Sequence, residues 1–275
     1  MALTDKLSAI GDAIRSKTGK EELLTLDEMP NEIEGISGEN QIDNIIKGEL
    51  IDIYSESETC SAYAFYNSHH VKSIDMPNVI NIGSSPFSQA TELVSISCPK
   101  LSIIPERFAW VTSKLSSVNL PNATEFGAAA FYGTLITEIP NEKNVTMVYD
   151  NVFYNTKITN VYLPSVIKVG YAVFQNCSLL VRAEFGEYHE NSVAGVRLSL
   201  FQNCSQLETV IFRAKTLLTL QSINAFQGTP IEAGTGYIYV PKALIEDYKV
   251  ATNWITFAEQ FRAIEDYPDI CGGAE

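Results

Sequence analysis

The chain has 275 residues, of which 45% are hydrophobic and 19% charged, and a formal net charge of −14. A nucleic-acid binder needs a basic stripe to displace counterions, and this balance argues against one. No apolar run approaches the ~20 residues of a membrane-spanning helix, so no membrane insertion is expected.

In chain order, the opening MALTDKLSAIGDAIRSK has no apolar h-region and reads as structure, not as a secretory signal. Residues 3–17 have the pattern of an amphipathic helix. Thr4 or Asp5 can cap it, Leu7, Ile10 and Ile14 share a face, and Gly19 is placed to end it. A second short helix starts at the capping box Thr25–Glu28, with Met29, Ile33 and Ile36 as its apolar face. The pair makes an N-terminal helical hairpin over 1–38, too small to bury both faces alone. It is expected to work as an anchor or oligomerisation module, docking on other copies or another protein through these six residues. The polar stretch GISGEN reads as a linker.

Residues 41–60 are expected to form the N-terminal cap of a repeat region, with Leu50 and Ile53 on a first strand. From there one unit recurs. Phe stands at 65, 87, 108, 131, 153, 174, 201 and 226, a period in the twenties that marks a solenoid. In KLSSVNLPNATEFGAAAF, Leu115, Val118 and Leu120 set an apolar strand frame, and Pro121 ends it because proline cannot donate to a ladder. The same frame gives Ile74, Met76 and Pro77, then Ile96, Cys98 and Pro99, then Val161, Leu163 and Pro164. A glycine before the Phe (Gly83, Gly127, Gly170) suggests a turn at positive φ. The unit ITEIPNEKN departs from the wording, although Ile136 and Ile139 keep the frame. Extra residues near 186–197 and 213–222 are expected to bulge outward. No single unit can bury its apolar set, so stacked coils must share a core, with one strand of each adding to a parallel sheet and the Phe residues forming an inner ladder.

The wording Leu-x-x-Ile-x-Leu-Pro, then Ile-Gly, then Ala-Phe-x-Asn-Cys-Ser resembles the BspA-like class of leucine-rich repeats over residues 50–241. That resemblance implies an α/β solenoid spanning 39–241 with a binding surface. Residues 242–275 are similar to the closing cap of the same class. Tyr237–Val240 would be the last strand, and Pro241 would start a C-terminal helical cap with Leu244, Tyr248 and Ala251 inward. Trp254, Phe257 and Phe261 would then cover the open end of the core, and PDICGGAE is expected to be disordered. The wording LTDKLSAIGDAIRSKTG…LTLDEMPNEIEGI is similar to an N-terminal module of tail-associated structural proteins of phages and prophages, which implies a virion component.

Chemistry is sparse. Cys60, Cys98, Cys177, Cys204 and Cys271 form no CxxC and read as buried hydrophobes. His69 and His70 adjoin in a loop and read as solvated, and no zinc, Walker, dinucleotide or nucleophile-elbow pattern is present. An enzyme, a cofactor and a metal are therefore not expected. There remains the surface: the strand residues pointing away from the core. In the second half these include Tyr162, Arg182, Glu184, Ile211, Tyr237 and Tyr239, residue types suited to contact with a protein or a glycan. The leading expectation is a virion protein that attaches to a host-cell surface. The alternative is a bacterial surface or secreted adhesin.

Overall fold

The computed structural model describes residues 50–186 and 195–272. The expected hairpin, with Leu7, Ile10, Ile14, Met29, Ile33 and Ile36, lies outside the described residues. In chain order the strands are β1 (Ile51–Tyr54), β2 (Thr59–Cys60), β3 (Val71–Asp75), β4 (Asn81–Ile82), β5 (Ser95–Ser97), β6 (Ile103–Ile104), β7 (Ser117–Asn119), β8 (Glu125–Phe126) and β9 (Met147–Val148). They continue as β10 (Asn160–Leu163), β11 (Lys168–Val169), β12 (Arg182–Phe185), β13 (Gly195–Val196), β14 (Thr209–Phe212), β15 (Thr219–Leu220), β16 (Tyr237–Val240) and β17 (Phe261–Ala263). Most coils lay a leading strand beside that of the coil before, in parallel, and two-residue strands pair in a second layer behind. The expected solenoid and its parallel sheet are present.

The register shows how the repeat works. Asp75 pairs with Ser97 and Ser97 with Asn119, while Ile74, Ile96 and Val118 succeed one another on the inner side. Leucine, isoleucine and valine of the frame fill a single core. Phenylalanine rings run through it at centroid spacings of 5.0–5.9 Å from Phe65 to Phe226. From Phe131 onward the rings stack nearly parallel, but Phe87–Phe108 and Phe108–Phe131 are edge-to-face. The backbone explains the change. Phe87 N–H bonds to the Phe108 carbonyl, whereas Phe131 N–H bonds to Val152 and Phe174 N–H to Leu200. Phe108 therefore occupies the place held on other coils by smaller residues such as Pro86, Ala130, Val152 and Leu200, and Ala109 takes the ladder place. Counting Phe residues alone misses this one-residue slip.

Two further expectations change. Gly83, Gly127 and Gly170 are not at positive φ. They are required because the neighbouring coil's backbone is too close, and a Cβ on Gly127 would sit 2.5 Å from Glu106 N. The left-handed positions lie two residues to either side of the ladder place. One of them carries Asn67, Asn155, Asn176 and Asn203, the residue type that tolerates this conformation best after glycine. At the N-terminal end, β1 pairs through a bulge, and Ile51 rather than Leu50 takes the core place.

The leading sheet is not continuous. It splits into β1-β3-β5-β7 and β10-β12-β14-β16-β17. The break falls at ITEIPNEKN, where Ile136 and Ile139 are still buried. By register, Pro140 stands where Ser97 and Asn119 stand, so it has no N–H for the Val118 carbonyl. A 3-10 turn, Glu142–Asn144, comes next instead of a strand. In the later inserts, β15 pairs with β13 in the second layer, and residues 215–217 between β14 and β15 are exposed; residues 187–194 lie outside the described residues.

Little of the C-terminal end is α-helix. It holds α1 (Ile245–Val250), 3-10 turns and α2 (Pro268–Cys271), and β17 extends the sheet, a strand that the sequence pattern does not signal. Tyr248, Trp254, Phe257 and Phe261 are buried, and Phe257 and Trp254 lie 5.2 and 6.0 Å from the Phe226 ring, closing the ladder. Trp254 Nε1 donates to the Leu218 carbonyl, which satisfies its polar atom.

Candidate functional site

The outward strand face differs between its two halves. On β3, β5 and β7 the outward residues Ser73, Asp75, Ser95, Ser97, Ser117 and Asn119 are exposed or half-exposed, and Asn119 Nδ2 donates to Ser97 Oγ at 3.1 Å. This half is open, small and polar. Where the sheet breaks, a notch of about 440 Å³ opens, lined by Asn119, Glu138, Pro140, Glu142 and Lys143. The Glu142 carboxyl accepts from the Tyr162 N–H, replacing a missing ladder bond, and burial in the notch pushes that carboxyl above its ordinary range.

The second half is covered by the chain's own end. Glu184, Ile211 and Tyr239, expected at a ligand surface, are 4%, 0% and 3% exposed. Cys271 on α2 packs with Ile211 and Tyr239, joined by Ile264 and Tyr237, in a small core on the outer side of the sheet. Tyr267 stands edge-to-face on Tyr239 at 5.5 Å. The segment expected to be disordered thus holds an ordered helix as far as Cys271. Glu184 accepts from Arg182 and from Arg213, each at 2.6 Å, and Arg213 also donates to the Cys271 carbonyl. A buried carboxylate held by two guanidiniums is a fastening point, because removing either partner would leave charge uncompensated. Tyr162, Arg182 and Tyr237 remain half-exposed, with the Arg262 guanidinium 4.2 Å over the Tyr237 ring. The structure therefore brings Arg182, Glu184, Ile211, Tyr237 and Tyr239 together as a tail seat and leaves Tyr162 apart, beside the notch.

All five cysteines are free and buried. Burial pushes the Cys60 and Cys98 thiols up to about 12 and raises Cys177, Cys204 and Cys271. Cys177 and Cys204 donate to the carbonyls of Phe153 and Phe174 in the preceding coil, whereas Thr134 and Thr156 donate to Phe131 and Phe153 within their own coils. The two cysteines thus tie coils together, and their burial disfavours the reactive thiolate. His69 is exposed and meets Thr91 Oγ1 at 2.9 Å. His70, expected to be solvated, has both ring nitrogens buried. Among the described residues no cluster of three or more His, Cys, Asp or Glu could hold a metal.

One surface feature is not among the expected site residues. Directly after the ladder place comes a row that includes Trp110, Tyr132, Tyr154, Gln175, Gln202 and Gln227, all half-exposed or exposed. Tyr132 and Tyr154 stack at 4.3 Å, and Trp110 lies 6.4 Å from Tyr132 with Arg107 5.9 Å from its ring centroid. Gln175 donates to Gln202 at 2.8 Å and Gln202 to Gln227 at 2.5 Å. The signal is present in FYG, FYN, FQN, FQN and FQG, one residue past the Phe that sets the period.

No curated protein matches the chain. Among solved structures, a leucine-rich repeat protein from Bacteroides ovatus is 19% identical, with a TM-score of 0.49, over 77% of this chain and 65% of that one. A leucine-rich repeat protein from Eubacterium ventriosum is 21% identical, with a TM-score of 0.48, over 70% of this chain and 54% of that one. A leucine rich cell surface protein from Faecalibacterium prausnitzii is 15% identical, with a TM-score of 0.35, over 78% of each. The chain thus spans about two-thirds and about half the length of the first two. The family model for the BspA type leucine rich repeat region matches residues 23–135, 58–181 and 124–240, beginning inside the segment assigned to the hairpin. The chain belongs to the BspA type leucine-rich repeat family.

Proposed function

We propose that this chain is a non-enzymatic binding protein whose solenoid presents a rigid face to a macromolecule on a cell surface. The observation that carries the reading is the open half of the strand face. Tyr54, Asp75, Ser97 and Asn119 line up on successive coils, and across the notch Tyr162 continues the row. The phenylalanine ladder behind them fixes their spacing, so binding a partner costs little further ordering. Buried, hydrogen-bonded thiols and ion-paired carboxylates suit a scaffold rather than catalysis.

Two carriers fit this role. The wording of residues 3–36 favours a virion, with the N-terminal segment joined to other particle proteins or to further copies and the solenoid contacting the host cell. Membership of the BspA type family favours the second reading, an adhesin at a bacterial surface. In either case the partner is a surface protein or glycan. The test is cosedimentation of the labelled full chain with intact bacterial cells, beside Asn119→Arg and Tyr162→Ser variants. Retention of the parent chain, with loss in variants of equal thermal stability, supports the proposal. Equal retention of all three moves the contact off this face.

A further inference from the structure

We propose that the aromatic and amide row beside the phenylalanine ladder binds a neutral polysaccharide laid along the solenoid axis. The strip is separate from the outward strand face, and the inference rests on the binding reading only in taking the solenoid to be a binding surface. Its first support is charge. The row itself and the row of left-handed residues next to it carry no Asp, Glu, Lys or Arg on any of eight coils, in a chain that is 19% charged. Away from Arg107 at the Trp110 end, such a strip gives an anionic polymer little to pair with. Its second support is unused hydrogen-bonding capacity. Each side-chain amide has two N–H donors and an oxygen with two lone pairs. In the Gln175–Gln202–Gln227 ladder, the central Gln202 uses one donor and one lone pair on its neighbours. It keeps one of each, and a sugar hydroxyl can meet both because it donates and accepts. Asn203 and Asn176 repeat the arrangement alongside, with Asn203 donating to Asn176 at 2.9 Å and Asn176 to the Tyr154 hydroxyl at 2.6 Å.

The third support is aromatic. Tyr132 and Tyr154 cover each other's faces, but the next position beyond Trp110 in this row is Ser88, which puts no ring against the indole. Trp110 is therefore placed to meet a sugar ring at the end of the aromatic run, with Tyr132 and Tyr154 between it and the amide ladder and the Arg107 guanidinium over its ring. Coils repeat every ~4.8 Å, close to the advance of an extended chain of hexopyranoses. Successive sugars could then meet successive coils.

Tryptophan emission reads this out in the intact protein, because the second of its two tryptophans, Trp254, is fully buried. The full chain is titrated with a soluble glucan, mannan, galactan and xylan, and with an anionic polysaccharide as control. The expected result is a saturable blue shift and protection from acrylamide quenching with at least one neutral polymer. Trp110→Phe should abolish the optical signal and reduce retardation in a native gel containing that polymer. Gln202→Glu, which puts a charge in the ladder, should weaken binding about tenfold, as loss of one or two hydrogen bonds would. Its unfolding transition should be unchanged. No shift and no retardation with any neutral polymer overturns the inference, as does binding of the anionic one alone. If cells still retain the parent chain and these variants equally, this strip is excluded while the binding reading stands. If cells retain none, both readings fall.

Discussion

Replacing Gly127 by alanine separates two accounts of the recurring glycine before the ladder residue. If the glycine served only a left-handed turn, the cost would resemble that of Gly133→Ala. Gly133 is at φ +71°, and its added Cβ would meet nothing nearer than Val111 Cα at 3.9 Å, so only the left-handed penalty of about 1–2 kcal/mol applies. Gly127 has ordinary φ, but its Cβ would lie 2.5 Å from Glu106 N and 2.7 Å from Pro105 C. Both are backbone atoms of the adjoining coil, which cannot swing aside as a side-chain end would. Overpacking of this kind costs about 1–3 kcal/mol or more. Parting the coils also weakens the Gly127 N–H bond to the Ile104 carbonyl, 2.8 Å long, for roughly 1 kcal/mol. The expected destabilisation is thus about 3 kcal/mol, at least 1 kcal/mol beyond Gly133→Ala. Urea unfolding with matched m-values measures both. Equal midpoints for the two variants would refute the close-approach argument.

Other consequences are as direct. In the native protein at mildly alkaline pH, dithiobis(nitrobenzoate) should find none of the five thiols, and all five after unfolding. Arg213→Ala should expose Cys271 alone, because the guanidinium holds that residue's carbonyl as well as Glu184; labelling of Cys60 or Cys98 at the same rate would contradict a locally fastened tail. The Glu142 carboxyl is raised in the fold, so the native state holds its proton more tightly than the unfolded state does. Its ionisation then costs stability as pH rises through the carboxylate range. Glu142→Gln should accordingly gain stability at neutral pH and lose that gain in acid, and an equal effect at both pH values would refute the assignment. Removing residues 1–38 should leave the solenoid folded and lower the assembly state seen by light scattering if that segment is an assembly peg; an unchanged mass would send the search for its partner elsewhere.

Much of this molecule is legible because a repeat states its own frame many times. Ile74, Ile96 and Val161 come from spacing alone, and the prolines after the strands end them as expected. The features that spacing misses all depend on contacts between coils or between distant segments. Phe108 looks like its counterparts in one dimension but is one hydrogen-bond register away from them. Gly127 looks like a turn glycine until the neighbouring coil is placed beside it. Ile211 and Tyr239 alternate outward as strand residues must, yet the distant C-terminal segment around Cys271 covers them. The wording at Cys271 gives no sign of that packing, since its partners lie on β14 and β16. Gln202 needs only the residue after the ladder to be traced from coil to coil, whereas Trp110 also needs the slip at Phe108.

The most direct test of the central claim, that the solenoid surface engages a cell-surface macromolecule, is a saturation binding isotherm of the full chain on intact cells. It should be measured together with Asn119→Arg and Trp110→Phe. Saturable binding that either substitution weakens at unchanged thermal stability is the predicted result. Binding that is absent, or that neither substitution alters, would contradict the account.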